Sequence, residues 1–520
     1  LRLERALVIT LVLHAVAMLG MAALLLPTLP GGGVSDDLAR VVRIGTHPWL
    51  FRLGWLPWHL TALSDLYLAY ALLRTPWISR ALSWLVVVLT IVAVIFDQGA
   101  QLAWVTVGTR LATDAANSHE LREYLAFEAK IFPLTGAWAA LFYTLGALGW
   151  SACFARAGTW TRMLTWLSVV LWSVFLIVSV GPLLPSEFRL PAGLAGAGNA
   201  IGFVLLEVWL LLVLEEVLRR EVPFAEHGRW ALWRAPRVGL FGRVLEWLAN
   251  SRAVRVLCSR VPSLAFQSDI TNVVYVNYVV EIERLLPLVP EGLEIQRLGP
   301  DGRWALFTFL TYRHGHFGPR VLGPLRKLFA SPVQSNWRIY VRDPRTGREG
   351  IYFVTNAVTT RLHSLGARLM SEGMPMHLLA KGEVTRADDG TMRVVLDPGT
   401  GTAPDAELEL RSSSSRTLPE PFSNCFASYE AFLANAVPQD RAMSTLPHRA
   451  ATVRQEIHLG IPLDACEPLE GSVHSRAAER WVGPTAKAVC FRVPSVHFLF
   501  DGEELDGWSQ EGVPSLVRSA

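Results

Sequence analysis

Lysine is nearly missing from this chain. Of its 48 basic residues only Lys130, Lys327, Lys381 and Lys487 are lysines, which leaves few places for amine chemistry. The five cysteines, Cys153, Cys258, Cys425, Cys466 and Cys490, show no CxxC spacing. That argues against a zinc site or a thioredoxin-like motif, and reduced thiols are expected if the C-terminal domain is cytoplasmic. There is no HExxH, GxSxG or P-loop, and no GxGxxG after a strand. Charge is sparse too, at 18% of residues against about 25% in an ordinary soluble chain. A net charge of +3 is too small to suggest a nucleic-acid partner.

What is present is uneven. Only 28 of the first 220 residues are charged, against 65 of the remaining 300. The chain therefore reads as a lipid-embedded part followed by a water-soluble one. A spanning helix needs about 20 mainly apolar residues, and six stretches qualify: 6–26, 50–73, 81–105, 133–154, 160–184 and 197–217. The first is longer than the apolar core of a signal peptide, so an uncleaved span is expected. On one side the short loops carry Arg74, Arg80, Arg156 and Arg162 with no acid among them, and Arg2, Arg5, Arg219 and Arg220 flank the outermost spans on that side. By the bias of cytoplasmic loops toward arginine and lysine, both termini are expected in the cytoplasm, with the bundle in an inner (plasma) membrane.

The polar side chains within those stretches include His14, His59, Asp65, Asp97, Gln101 and Glu207. Each of the ionisable ones is costly in hydrocarbon and is expected to face the bundle interior or a cavity. Asp97 and Gln101 are four residues apart and share a helix face. The group reads either as a proton, ion or polar-ligand site or as hydrogen-bonding glue between helices. His14 and His59 fall at similar depths, a placement that suits haem. Without a second histidine pair or a CxxCH the plain reading stands, and no cofactor or metal is expected.

The segment 221–270 is basic and amphipathic. Leu240, Val244, Trp247, Leu248 and Val254 recur at helical spacing among Arg243, Arg252, Arg255 and Arg260. This suits a helix at lipid headgroups or one packed on the following domain. Beyond it, alternating β-branched and aromatic runs such as VVYVNYVVEI, WALFTFLTYR, NWRIYVRD and GIYFVTNA are separated by turn signals. They predict an antiparallel sheet or barrel, interrupted by helices near 282–286, 360–371 and 429–435.

The runs VNYVVEIERLLPLVPEGLEIQRL and SNWRIYVRDPRTGREGIYFVTNAVTTRLHSLGARLMSEGMPMHLLAKGEV resemble the acetoacetate decarboxylase-like superfamily, especially its uncharacterised YqjF-like branch. The likeness covers Asn272 to Phe500 and is strongest before Val384. It implies a cone-like β-barrel around an apolar small-molecule pocket. The overall expectation is an all-α six-helix transmembrane bundle (1–220), a connector (221–270), an α+β antiparallel barrel (271–505) and a tail (506–520).

Decarboxylases of this family use a lysine imine as the electron sink. The family pattern places adjacent lysines after a Gly-x-Pro. Here Gly373-Met374-Pro375 is followed by Met376 and His377, and methionine forms no imine. Lys381 lies four residues on, so on a continuous strand it keeps the facing of His377 but sits about 13 Å along. The resemblance therefore implies binding without Schiff-base decarboxylation. The remaining candidates for ligand contact are Tyr312, His314, His316, Arg338, Tyr340, Met376 and His377. Two histidines at i and i+2 share a strand face but lack a third metal ligand. An inward Arg338 suits a carboxylate or phosphate, because its fork matches those anions. Two rivals to plain binding remain. One is an enzyme on the same scaffold using His377, Glu383 or Arg338. The other is a transporter or sensor centred on the bundle.

Overall fold

The structure is a computed structural model that describes residues 2–30, 34, 36–261, 264–437, 440–446 and 449–508. It divides into two compact units, Leu1–Glu221 and Val222–Ala520.

The first unit is helical: α1 (Leu3–Gly20), α2 (Asp37–Thr46), α3 (Pro48–Leu73), α4 (Arg80–Ala103), α5 (Thr109–Ser118), α6 (Arg122–Pro133), α7 (Ala140–Arg156), α8 (Arg162–Val180) and α9 (Ala192–Glu221). Wide π-type turns at Met21–Leu25, Trp104–Gly108 and Leu134–Ala139 continue α1, join α4 to α5 and join α6 to α7. α1 packs on α3 and α9, and α4 on α3 and α7.

Six spans were expected. Among the described residues four helices are long and apolar enough to cross a membrane: Leu3–Thr28, Arg80–Ser118, Arg122–Arg156 and Arg162–Val180. The other two expected stretches lie on α3 and α9. Both helices form; Arg52, His59 and Asp65 lower the apolarity of α3, and Glu207 is the one charge in residues 197–214 of α9. The outer face of α4 exposes Trp84, Val88, Ile91 and Ile95 at helical spacing, more apolar surface than a water-facing helix normally shows.

Between the expected spans, residues 36–49 and 106–132 are largely helical. Arg40 on α2 is buried and forms a two-pronged pair with Glu128 on α6 at 2.6 and 2.7 Å. α2 and α5 cross so closely that a Cβ at Gly45 would stand 2.3 Å from the Ala112 carbonyl oxygen.

The second unit begins with α10 (Leu240–Asn250) and α11 (Arg252–Cys258). α10 turns Leu245 and Ala249 onto Trp233, Ala235 and Leu378 and leaves Leu240, Phe241, Val244 and Trp247 exposed. Arg368 ties this segment to the domain. It is fully buried, its Nε donates to the Ala249 carbonyl at 2.8 Å, and a second nitrogen donates to the Ala231 carbonyl. Arg255 Nε donates to the Arg368 carbonyl at 3.1 Å.

The strands are β1 (Phe266–Glu281), β2 (Glu294–Ile295), β3 (Trp304–Arg313), β4 (Gly318–Pro319), β5 (Val333–Arg342), β6 (Glu349–Val358), β7 (Met376–Leu378), β8 (Lys381–Arg386), β9 (Met392–Asp397), β10 (Ala406–Ser412), β11 (Arg441–Leu446), β12 (Ala451–His458), β13 (Glu467–His474) and β14 (Val489–Gly507). Helices α12 (Ile282–Leu285), α13 (Arg361–Met370), α14 (Phe422–Cys425), α15 (Tyr429–Ala436) and α16 (Arg476–Val482) interrupt them. Pairing runs β1-β3-β5-β6-β11-β12-β14, and β14 pairs back onto β1. Most of these ladders are antiparallel, but β6 pairs parallel with β7 and β11.

β3, β5, β6 and the second half of β1 are buried on both faces, and in β1, β3 and β6 this reads as a largely apolar run. In β1, Val274, Val276, Tyr278 and Val280 join one core and Val273, Tyr275 and Val279 the other. The first core is anchored by Phe309 stacked on Trp337 at 4.1 Å between ring centres. The expected run from Met376 through Val384 is broken. β7 ends at Leu378, and Ala380 donates instead to the Asp397 carbonyl at 2.9 Å. β14 continues through Gly507, into the stretch expected as tail, and 509–520 lie outside the described residues.

Candidate functional site

The sheet's second core holds a row of buried polar side chains. On β5, Gln334, Asn336, Arg338 and Tyr340 alternate onto one face, as period-two geometry requires, while Trp337, Ile339 and Val341 occupy the other. Asn336 Nδ2 donates to the Tyr312 hydroxyl at 3.0 Å, and Gln334 Nε2 donates to Asn336 Oδ1 at 2.9 Å. His314 closes this chain. Its Nε2 lies 3.0 Å from Gln334 Oε1 and its Nδ1 2.9 Å from Ser268 Oγ. Burial holds its imidazole down at about 3, against the opposing bond to Gln334. A neutral ring with both nitrogens engaged is a structural linker rather than a proton carrier.

A second chain starts at Arg338. Its guanidinium reaches the Tyr340 hydroxyl at 3.5 Å and the Ala436 carbonyl on α15 at 3.4 Å, both long. The Tyr340 hydroxyl donates to the same carbonyl at 2.8 Å. Thr308 lies 3.3 Å from the Tyr340 hydroxyl and donates to Asn277 Oδ1 at 2.8 Å. Arg338 is 2% exposed. Its Nε has no hydrogen-bond partner among the described residues, and no described carboxylate pairs with it. A buried guanidinium without a counterion is expensive, and its free Nε is a donor that could serve an anion. Next to it Tyr275 is fully buried, and burial pushes its phenol up to about 12, with Arg338 opposing.

Beside this row lies a cavity of about 30 Å³, lined by Tyr275, Tyr312, Asn336, Arg338, Met374 and the ring of Phe498, among others. It is large enough for a water. Apart from Gln334 the rest of the lining is apolar, and Met374 is a flexible side chain able to repack.

The other expected contacts separate. Met376 joins the same core as Arg338. His377 points to the opposite side of β7, where Thr402 Oγ1 lies 2.9 Å from its Nδ1. Burial, with Arg368 and Arg255 nearby, holds it well below the usual imidazole range. His316 is exposed in a left-handed backbone conformation, φ 52°, so it does not share a face with His314. No group of three potential metal ligands exists among the described residues. Lys381 pairs with Glu383 at 3.1 Å on the surface, and Lys130, Lys327 and Lys487 are exposed too. No lysine reaches the cavity. Sequence reasoning missed Asn336 and Gln334; the alternation that pointed to Arg338 and Tyr340 extends back to both.

In the helical unit, His14, Asp65, Asp97 and Gln101 line one cavity of about 1080 Å³. His14 Nε2 lies 3.8 Å from Asp65, and the Tyr143 hydroxyl donates to Asp97 at 3.4 Å. His59 bonds to Gln98 at 2.8 Å instead, so the two histidines do not form a shared ligand pair. Glu207 Oε1 is buried without a hydrogen-bond partner among the described residues.

Residues 267–455 match the model of the family DUF2071, described as "Uncharacterized conserved protein"; no family model matches the N-terminal region. No curated protein matches the chain. Solved structures similar to the C-terminal region include an acetoacetate decarboxylase from Legionella pneumophila subsp. pneumophila str. Philadelphia 1, 13% identical, covering 47% of this chain and 88% of that one with a TM-score of 0.32. An enduracididine biosynthesis enzyme complexed with pyruvate is 14% identical, with 47% and 91% coverage and a TM-score of 0.32. An acetoacetate decarboxylase-like enzyme from Sphingomonas wittichii RW1 is 11% identical, with 48% and 95% coverage and a TM-score of 0.34.

Proposed function

We propose that this is a membrane protein whose C-terminal domain closes into a barrel and binds a small, partly apolar organic carboxylate, with Arg338 as its anion receptor. The observation that carries the reading is the buried guanidinium of Arg338, bordering a cavity and lacking a carboxylate partner. A ligand carboxylate supplies the missing charge, and the aromatic and methionine lining accepts its apolar part. Because the cavity now has water-sized room, the ligand is compact or enters as Met374 repacks.

Several features support binding without Schiff-base decarboxylation. Met376 faces the core where an imine-forming lysine would be needed, and all four lysines are exposed. The enzyme alternative through His377 or Glu383 is weakened, since neither faces the cavity. The apolar outer helices support a bilayer as the first partner. The exposed row Leu240, Phe241, Val244 and Trp247 suits its headgroup region, and the arginine-rich short loops favour cytoplasmic termini in a plasma membrane.

The test is native mass spectrometry of the full chain in lipid nanodiscs, incubated with a mixture of short-chain carboxylates. The reading expects one carboxylate retained per chain by the wild type and none by Arg338→Gln. Equal retention by both would refute it.

A further inference from the structure

The 1080 Å³ cavity of the helical unit is unlike the filled interior of the sheet domain. Its walls are rich in tryptophan, including Trp58, Trp104, Trp150 and Trp172, and its acids are Asp65 on α3 and Asp97 on α4. Gln101, one turn beyond Asp97, is 1% exposed, and its Oε1 has no hydrogen-bond partner among the described residues. That acceptor is enclosed in the cavity wall without a donor, which is costly in an apolar surround. Among the described lining residues the cationic candidates are His14, 3.8 Å from Asp65, and Arg189, which is exposed and bonded to the Leu184 carbonyl at 2.9 Å.

The backbone adds an independent sign. All three π-type segments contribute lining residues: Met21 and Ala22, Trp104, and Thr135, Gly136 and Ala139. Such widened turns cost helical hydrogen bonding and concentrate at functional sites. Here they shape the walls of one cavity from three places in the chain.

We propose that this cavity binds an organic cation, an ammonium carried on an aromatic or aliphatic body. Asp65 and Asp97 supply the opposite charge, tryptophan faces stabilise the cation through their quadrupoles, and the remaining wall buries the apolar body. A neutral lipid tail would fill the volume but would bring no charge opposite to Asp65 and Asp97, whose neighbours His14 at 3.8 Å and the Tyr143 hydroxyl at 3.4 Å supply no fixed cation.

The test uses the full chain in nanodiscs, titrated with meta-hydroxyphenyltrimethylammonium and with its neutral isostere meta-tert-butylphenol, following tryptophan fluorescence. The cation is expected to bind saturably and about tenfold or more tighter than the isostere. Asp65→Asn and Asp97→Asn are each expected to remove that preference while leaving binding of the neutral probe in place. Equal affinity of wild type for both probes, or no saturable binding of the cation, overturns the proposal, and this comparison needs no variant to fold. An undiminished preference in both variants overturns it as well.

Discussion

The guanidinium of Arg338 on β5 lies 5.5 Å from the centre of the Tyr275 ring on β1, both side chains buried within one core of the sheet domain. A cation over an aromatic face gains some electrostatic stabilisation, about 0.5–2 kcal/mol. That falls short of the several kcal/mol that removing a charge from water costs. On the proposed reading, a ligand anion makes up the difference.

It follows that Arg338→Met stabilises the ligand-free protein. Methionine keeps much of the volume without the charge, so a gain of about 1–3 kcal/mol is expected from urea unfolding midpoints. Addition of a bound carboxylate stabilises wild type and leaves the variant unchanged. A variant less stable than wild type would show that Arg338 is already satisfied by the protein.

His314 predicts a pH dependence. Its folded imidazole titrates near 3, below the ordinary value of about 6.5. Above pH 6.5 it is neutral in both states and contributes no slope. As pH falls from there toward 3, the unfolded chain takes up a proton that the folded chain refuses, so stability drops by about 1.4 kcal/mol per pH unit. His314→Gln is expected to lose about one proton's worth of this slope. Unfolding midpoints at about pH 7 and about pH 5 check it, and identical slopes in both proteins would contradict the assignment.

Borohydride treatment in the presence of acetoacetate is expected to leave no covalent adduct within the sheet domain, and Lys381→Ala is expected to leave ligand affinity unchanged. Peptide mass mapping reads the first and calorimetry the second. A reduced adduct on Lys381 would restore imine chemistry.

Arg368→Met removes donors from the Ala249 and Ala231 carbonyls in a fully buried place. A loss of about 2–4 kcal/mol is expected, with residues 231–258 becoming protease-sensitive before the sheet. Uniform cleavage across the domain would show that this segment is not held by Arg368.

Much of the sheet domain was legible because β3, β5 and β6 are buried along most of their length, β9 and β10 alternate cleanly, and clear turns bound them. The Asp343-Pro344-Arg345-Thr346-Gly347 turn joins β5 to β6 as expected: Asp343 accepts from the Arg345 amide at 3.0 Å, and Gly347 adopts φ +69°. β11, β12 and β13 were not legible. RAMSTL, ATVRQEIH and EPLEGSVH mix polar and small residues, and their strand character comes from partners distant in sequence. Facing was legible for Arg338 and Tyr340, on one uninterrupted strand. It failed for Lys381, because the strand breaks after Leu378. In the helical unit the polar residues were legible by their cost in hydrocarbon, whereas the Arg40–Glu128 pair was not, since its partners are 88 positions apart.

The central claim rests on Arg338 recognising charge rather than shape, and calorimetry of the full chain with a retained carboxylate and its primary amide tests this most directly. The account predicts that the carboxylate binds wild type at least about tenfold tighter than the amide, and that Arg338→Gln abolishes the difference. Equal affinity for the two compounds, or a preference that survives in Arg338→Gln, would contradict it.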